Sequence, residues 1–108
     1  MGVSWLAEIL KGKPKIIGSS FLGNGLLKID LETTGWKTQT ITVYMPSNDE
    51  YIVSEYVIQK AKDLGADYVV CDSWCKPTYA AIVYGKENGV KVFQAGVFLA
   101  KVEKGERL

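Results

Sequence analysis

The stretch that decides the fold runs from a tight turn into an alternating strand, and it reads Gly23-Asn24-Gly25-Leu26-Leu27-Lys28-Ile29-Asp30-Leu31-Glu32. The Gly-Asn-Gly sequence favours a hairpin because both residue types tolerate the positive φ angles that tight turns require. After the turn, apolar residues alternate with charged ones, which indicates a strand with one buried and one solvated face. The sequence therefore predicts a hairpin whose second strand covers 26–32.

The segments around this hairpin predict a helix and two further strands. A helix starting at Ser4 and ending near Lys11 precedes a weak strand over 15–22. A third strand is expected over 37–45, again with one apolar and one polar face. Because only tight turns separate the three strands, we expect them to be antiparallel.

A capping box marks the next helix. Ser47 and Glu50 have the spacing at which each side chain bonds the other residue's backbone at a helix N-terminus. This pattern predicts a helix from Ser47 to Leu64, followed by Gly65 as its C-terminal stop. The residues expected to point inward are Ile52, Val53, Tyr56, Val57 and Leu64.

The second half of the chain alternates short apolar strands with helices. Strands are expected at 67–71 and 90–94, with a helix from Pro77 to Asn88 between them and a last helix from Val97 to about Lys104. The predicted order is αβββαβαβα. Residues 1–108 are thus expected to form one small α/β domain with a mixed sheet, in which the last two strands are parallel.

Composition excludes several classes of function. The chain has 108 residues, 13 Lys and Arg against 12 Asp and Glu, a formal net charge of +1 and no histidine. Without an imidazole, Ser-His-Asp triads and histidine metal sites are impossible. Residues 1–8 lack the basic and apolar regions of a signal peptide, and no apolar run approaches the roughly 20 residues of a spanning helix. We therefore expect a cytoplasmic protein without membrane contact.

Cys71 and Cys75 are the cysteines of the chain. Two thiols cannot complete a tetrahedral zinc site, and their spacing differs from the C-x-x-C of redox proteins. We expect reduced thiols, with a redox pair as the alternative. Trp74 falls in a predicted loop between them, where a large apolar group either folds back or meets a partner.

The predicted order, together with the Gly23–Leu31 hairpin, resembles the restriction-endonuclease-like, PD-(D/E)xK nuclease superfamily. The segment from Asp67 to Leu99 is similar to the closing strand-helix-strand-helix of Mrr-type restriction enzymes, and the hairpin to that of archaeal Holliday junction resolvases. This resemblance implies a DNA partner and Mg²⁺-dependent cleavage, in which carboxylates hold the metal and a lysine lies near the attacking water. A homodimer is a further partner that we consider for this chain.

Residue by residue, the resemblance covers only part of the catalytic set. It implies that Glu8 is the helix acid and Asp30 the metal-binding acid of the hairpin. The third strand departs from the family, because Thr40, Thr42 and Tyr44 stand where the (D/E)-x-K pair is expected. The sequence therefore predicts a nuclease-fold domain with a degenerate active site, which acts as a nucleic-acid-binding or structural module.

Two alternatives stay open. In the first, Glu8, Asp30 and Glu32 bind Mg²⁺ while Lys28 orients a water, which would give a DNA endonuclease with a rearranged site. Alternating charges are, however, also typical of the solvated face of an ordinary antiparallel strand. In the second, the ending from Gly89 to Leu99 resembles BRCT-like or Rossmann-like interaction domains, although the three-stranded start argues against these.

Lys11, Lys13 and Lys15 form the densest basic cluster of the chain. A basic loop of this kind can contact phosphates by charge alone, and we expect it to bind DNA weakly. Lysines at a helix C-terminus also complement the helix dipole, which is the alternative explanation.

Overall fold

The computed structural model of the chain describes residues 3–33, 37–72 and 75–104. Its helices are α1 (Val3–Leu10), α2 (Glu55–Asp63), α3 (Tyr79–Asn88) and α4 (Ala95–Lys104), and a 3₁₀ turn covers Asn48–Glu50. Its strands are β1 (Ile16–Gly23), β2 (Leu26–Thr33), β3 (Lys37–Tyr44), β4 (Ile52–Val53), β5 (Tyr68–Cys71), β6 (Lys76–Pro77) and β7 (Lys91–Gln94).

The main sheet is mixed, as the sequence predicts. Its five strands lie in the order β1-β2-β3-β5-β7. The first three are antiparallel, whereas β5 is parallel to both β3 and β7. A small α/β domain with a mixed sheet is therefore confirmed. The short strands β4 and β6, which form a separate parallel pair, were not expected.

The predicted hairpin is present between β1 and β2. Asn24 has a φ of 54° and Gly25 a φ of 79°, the left-handed conformations that the turn requires. A Cβ atom on Gly25 would lie 3.1 Å from the Tyr44 ring. Both the φ angle and this close approach therefore favour glycine at the turn.

Apolar side chains form one layer on each face of the sheet. Helices α1 and α4 cover the face of β2 that carries the predicted apolar residues; this layer includes Leu6, Leu10, Leu27, Ile29, Leu31, Phe98 and Val102. Helices α2 and α3 cover the other face at its parallel end; this layer includes Tyr44, Val57, Ile58, Val69, Cys71 and Ala81. Leu26 also belongs to this second layer, whereas the charged residues further along the same face of β2 belong to neither layer and stay at least partly accessible.

The helix predicted from Ser47 begins later than expected. The capping box between Ser47 and Glu50 is present, but it closes only the 3₁₀ turn. The β-branched pair Ile52-Val53 then forms β4, because β6 offers it a partner strand. Helix α2 begins at Glu55, after Ser54.

This shift changes which side chains point inward. Val53 and Val57 are buried as expected, but Ile52 and Tyr56 are 57% and 76% exposed. The later start of α2 rotates its buried face, which includes Ile58 and Ala61. The predicted inward positions of Ile52 and Tyr56 are therefore wrong.

The last two helices also differ at their starts. Pro77 lies in β6, and Thr78 is the N-cap of α3, accepting a hydrogen bond from the Ala81 N–H. Helix α4 begins at Ala95 instead of Val97 and buries Phe98 and Val102. Trp74, singled out from the sequence, lies outside the described residues.

Candidate functional site

The predicted metal-binding residues lie on two sides of the sheet. Glu8 is exposed on α1, which packs on the face that carries Leu27 and Ile29. Asp30 and Glu32 alternate with those apolar residues and therefore lie on the opposite face of β2. The sheet thus separates Glu8 from the other two carboxylates.

Asp30, Glu32 and Lys28 share the open face of β2. Asp30 Oδ1 accepts a hydrogen bond of 2.7 Å from Thr40 Oγ1, and Lys28 lies opposite Thr42. Within residues 3–33, 37–72 and 75–104, no group of three or more Asp, Glu or Cys side chains is placed to hold a metal ion. Magnesium binding by these residues stays a prediction.

Each lysine of the predicted basic loop lies beside a carboxylate. The ion pairs are Lys11 with Glu8 at 3.8 Å, Lys13 with Glu103, and Lys15 with Glu32 at 3.6 Å. A carboxylate at this distance offsets much of the charge that a phosphate would otherwise meet. The loop is therefore a weaker anion site than its sequence indicates.

A cleft at the N-terminal ends of β5 and β7 carries lysines in a different setting. It has a volume of about 280 Å³, and its polar lining residues are Gln39, Thr40, Asp67, Lys86 and Lys91. Lys86 projects from the last turn of α3, and Lys91 begins β7. Neither lysine forms an ion pair with a described carboxylate. We refer to this site as the β3–β7 cleft.

The β3–β7 cleft exists because β3 extends beyond its parallel neighbour. Strand β5 pairs with β3 only at Val43 and Tyr44. Asp67 then closes the junction: its Oδ2 accepts from the Thr42 N–H at 2.9 Å, and its own N–H donates to the Thr42 carbonyl at 2.8 Å. The first half of β3 is left as an open edge next to Lys86.

The cleft adjoins the site that the nuclease resemblance implies. Thr40 lines the cleft and also donates to Asp30, the residue expected to bind a metal. Gln39 Oε1 is buried beside it and has no hydrogen-bond donor within the described residues. A polar surface therefore runs from the open face of β2 into the cleft.

A second polar cluster lies at the other end of β3. The Tyr44 O–H donates to Glu50 Oε1, and Lys60 Nζ lies 3.1 Å from Glu50 Oε2 and 5.5 Å from the centre of the Tyr44 ring. Burial and the neighbouring Glu50 carboxylate raise the pKa of Tyr44 above its ordinary value. The sequence showed Glu50 only as a capping residue, because Tyr44 and Lys60 reach it through the fold.

The two thiols are buried and free of disulfide bonds. Burial, with a smaller contribution from Cys75, raises the pKa of Cys71 above its ordinary value. Burial also raises the pKa of Cys75, whose Sγ lies 3.6 Å from the Asp72 carbonyl oxygen. A raised pKa favours the protonated thiol over the reactive thiolate, which is consistent with the expected reduced thiols.

Comparisons of this chain with known protein families, with curated proteins and with solved structures found no match. Among the described helices, none is long and apolar enough to cross a membrane.

Proposed function

We propose that this domain is a non-catalytic module that binds the phosphate backbone of nucleic acid in the β3–β7 cleft. The observation that carries the proposal is the contrast between two groups of lysines. Lys86 and Lys91 line the cleft and form no ion pair with a carboxylate among the described residues, whereas the lysines of the basic loop each form one. The lysines with unbalanced charge are the better phosphate ligands.

The surroundings of the cleft support an anionic polymer as its ligand. Lys37 begins β3 and, together with Gln39, lines a second depression; Gln39 lines both this depression and the cleft. Ammonium and amide groups are the usual contacts to phosphate and sugar, and they carry no base specificity. Asp67 is the one carboxylate among the described residues that line the cleft, and it accepts a hydrogen bond from the Thr42 N–H, which compensates part of its charge. We expect weak binding that is insensitive to base sequence.

We propose a non-catalytic module because of the residues on β3. Thr40 and Thr42 occupy the face on which the nuclease resemblance requires an acid and a lysine two residues apart. Thr40 also engages Asp30, so the one matching acid of the hairpin is hydrogen-bonded to a hydroxyl. The resemblance thus supports a nuclease-like fold whose polar face has been retained for binding.

Fluorescence anisotropy with labelled duplex and single-stranded DNA tests the proposal. Binding should weaken steeply between about 50 and 200 mM salt, because counterions are released from the phosphates. The double variant Lys86→Gln, Lys91→Gln should bind more weakly and reduce the slope of log K against log salt by up to about two.

The matched control is the triple variant Lys11→Gln, Lys13→Gln, Lys15→Gln. It removes more positive charge than the cleft variant, yet it should lose less affinity because these lysines already face carboxylates. Loss of binding in the loop variant but not in the cleft variant would refute the proposed site. No binding to any nucleic acid at low salt would refute the function.

A further inference from the structure

The β3–β7 cleft contains hydrogen-bond acceptors as well as lysines. Asp67 is exposed and lines the cleft together with Lys86 and Lys91. Its Oδ2 accepts from the Thr42 N–H at 2.9 Å, and a carboxylate has about four lone-pair sites, so Asp67 can accept from further donors. The described ion pairs join neither lysine to Asp67. A ligand that suits this cleft therefore presents an anion to the lysines and a donor to Asp67.

The open edge of β3 adds a backbone acceptor to the cleft. Thr42 pairs both its N–H and its carbonyl oxygen with Asp67, so both groups point away from β2. Because backbone groups alternate in direction along an antiparallel strand, those of Thr40, two residues earlier, also point away from β2. β5 pairs with β3 only at Val43 and Tyr44, so no strand within the described residues covers the Thr40 carbonyl.

The hydroxyl of Thr40 is a third acceptor in the cleft. It donates its proton to Asp30 Oδ1 at 2.7 Å, from β3 to the neighbouring β2. A hydroxyl has one proton and two acceptor sites, so Thr40 Oγ1 can still accept from a ligand while this bond is kept. The side chains of Thr40 and Asp67 and the Thr40 carbonyl thus all favour a ligand with a donor.

We infer that the β3–β7 cleft selects RNA over DNA, because Asp67 accepts a hydrogen bond from a ribose 2′-hydroxyl while Lys86 and Lys91 hold the adjacent phosphate. The internal sugar-phosphate backbone of DNA has acceptors only, and these do not match a carboxylate. RNA carries a 2′-hydroxyl beside each phosphate, and this group both donates and accepts, which is how proteins distinguish RNA from DNA. This selectivity rests on the proposed function, because it concerns the ligand of the same cleft.

Asp67 also acts against DNA. A carboxylate near a phosphate repels it, and DNA has no backbone donor that compensates this repulsion. A hydrogen bond to a charged group stabilises more than one between neutral groups, so the 2′-hydroxyl offsets the repulsion for RNA. Specificity commonly combines a contact to the preferred ligand with repulsion of the competitor. Amino groups on the bases are donors too, but both polymers carry them, so they create no preference for ribose.

Fluorescence anisotropy with three labelled single strands tests the selectivity. The strands are RNA, DNA and 2′-O-methyl RNA of one sequence that contains only adenine and cytosine, so their bases are identical. RNA should bind roughly tenfold more tightly than DNA, the gain expected from a hydrogen bond to a charged group, and 2′-O-methyl RNA should bind no better than DNA. Because this hydrogen bond releases no counterions, the preference should persist between about 50 and 200 mM salt. Equal binding of RNA and DNA, or of RNA and 2′-O-methyl RNA, would overturn the inference.

The variant Asp67→Asn identifies the acceptor. Its amide oxygen can still accept from the Thr42 N–H, but the negative charge is lost, so DNA should bind more tightly and the preference for RNA should fall towards one. The matched control is Asp49→Asn, since Asp49 is exposed in the 3₁₀ turn that follows β3 and lies outside the cleft. It removes the same charge and should leave the preference unchanged. Circular dichroism confirms that both variants fold. A preference that survives Asp67→Asn would overturn the inference.

The double variant Lys86→Gln, Lys91→Gln separates this inference from the proposed function. It should weaken the binding of RNA and DNA alike, because it removes phosphate ligands and leaves Asp67 in place. If RNA and DNA bind equally and the double variant weakens both, the phosphate site stands and the RNA selectivity alone is overturned. If no strand binds at low salt, both are overturned.

Discussion

The phenol of Tyr44 donates a hydrogen bond to the Glu50 carboxylate and so joins the end of β3 to the turn that follows it. The same carboxylate accepts from the Ser47 N–H at 2.9 Å and lies 3.1 Å from Lys60 Nζ on α2. Burial alone would raise the pKa of Glu50, but hydrogen bonds from Tyr44, Ser47 and Lys60 outweigh it and hold the pKa below its ordinary value. Glu50 is thus the centre of the connection between β3 and α2.

We therefore predict that Glu50→Gln lowers the free energy of unfolding by about 1–3 kcal/mol, the usual cost when a charged hydrogen-bonding group is lost. A carboxyl group whose pKa is lowered on folding stabilises the protein at pH values above its unfolded pKa. This stabilisation disappears as pH falls below about 4.5 and through the lower folded-state pKa. Urea unfolding between neutral and acidic pH measures the effect.

The control for this prediction is Glu87→Gln, because Glu87 is exposed on α3 and forms no ion pair with a described residue. It should leave both the stability and its acid dependence nearly unchanged. If Glu50→Gln retains the acid-induced loss of stability seen in the wild type, Glu50 is not its source.

Two glycines inside helices give opposite predictions. A Cβ atom on Gly85 would overlap the carbonyl oxygen of Val90, at the point where the chain turns from α3 into β7. Gly85→Ala should therefore destabilise the domain by about 1–3 kcal/mol or more through overpacking. Gly96 in α4 has no atom within 4 Å of such a Cβ, so Gly96→Ala should be neutral or stabilising by up to about 1 kcal/mol. Thermal unfolding distinguishes these outcomes, and equal effects would contradict the packing argument.

The parts of the fold that were predictable are those encoded by neighbouring residues. The turn at Asn24-Gly25 and the alternation of β2 depend only on φ preferences and a period of two. The start of α2 was not predictable in this way. Ser47 and Glu50 satisfy each other in a single turn, and the strand pairing of Ile52 with Lys76 then depends on a segment 24 residues further along the chain.

Less of the candidate site than of the fold could be predicted from the sequence. The cluster Lys11, Lys13 and Lys15 was visible, but its carboxylates come from α1, β2 and α4, and Glu103 is 90 residues from Lys13. Lys86 and Lys91 belong to no motif. They become a candidate anion site only because β5 pairs with the end of β3 and leaves the cleft beside them.

The buried thiols yield a prediction about reactivity. Cys71 and Cys75 are 0% and 1% exposed, and burial raises both pKa values. Because the thiolate is the reactive species, a thiol-specific reagent should label the native protein slowly even at mildly alkaline pH. Both thiols should react rapidly in urea. Rapid labelling of the native protein at neutral pH would instead favour the redox alternative.

The final prediction concerns the metal-dependent nuclease alternative. The sheet separates Glu8 from Asp30, and Thr40 stands where the nuclease resemblance implies an acid. With Mg²⁺ or Mn²⁺ we therefore expect little cleavage of duplex, branched or single-stranded DNA, because no group of three or more carboxylates within the described residues is placed to hold the metal. Gel analysis of labelled substrates measures this, with Asp30→Ala and Lys28→Ala as the paired variants. Robust cleavage by the wild type that both variants abolish would establish the rearranged site, whereas cleavage that both retain would indicate a contaminating nuclease.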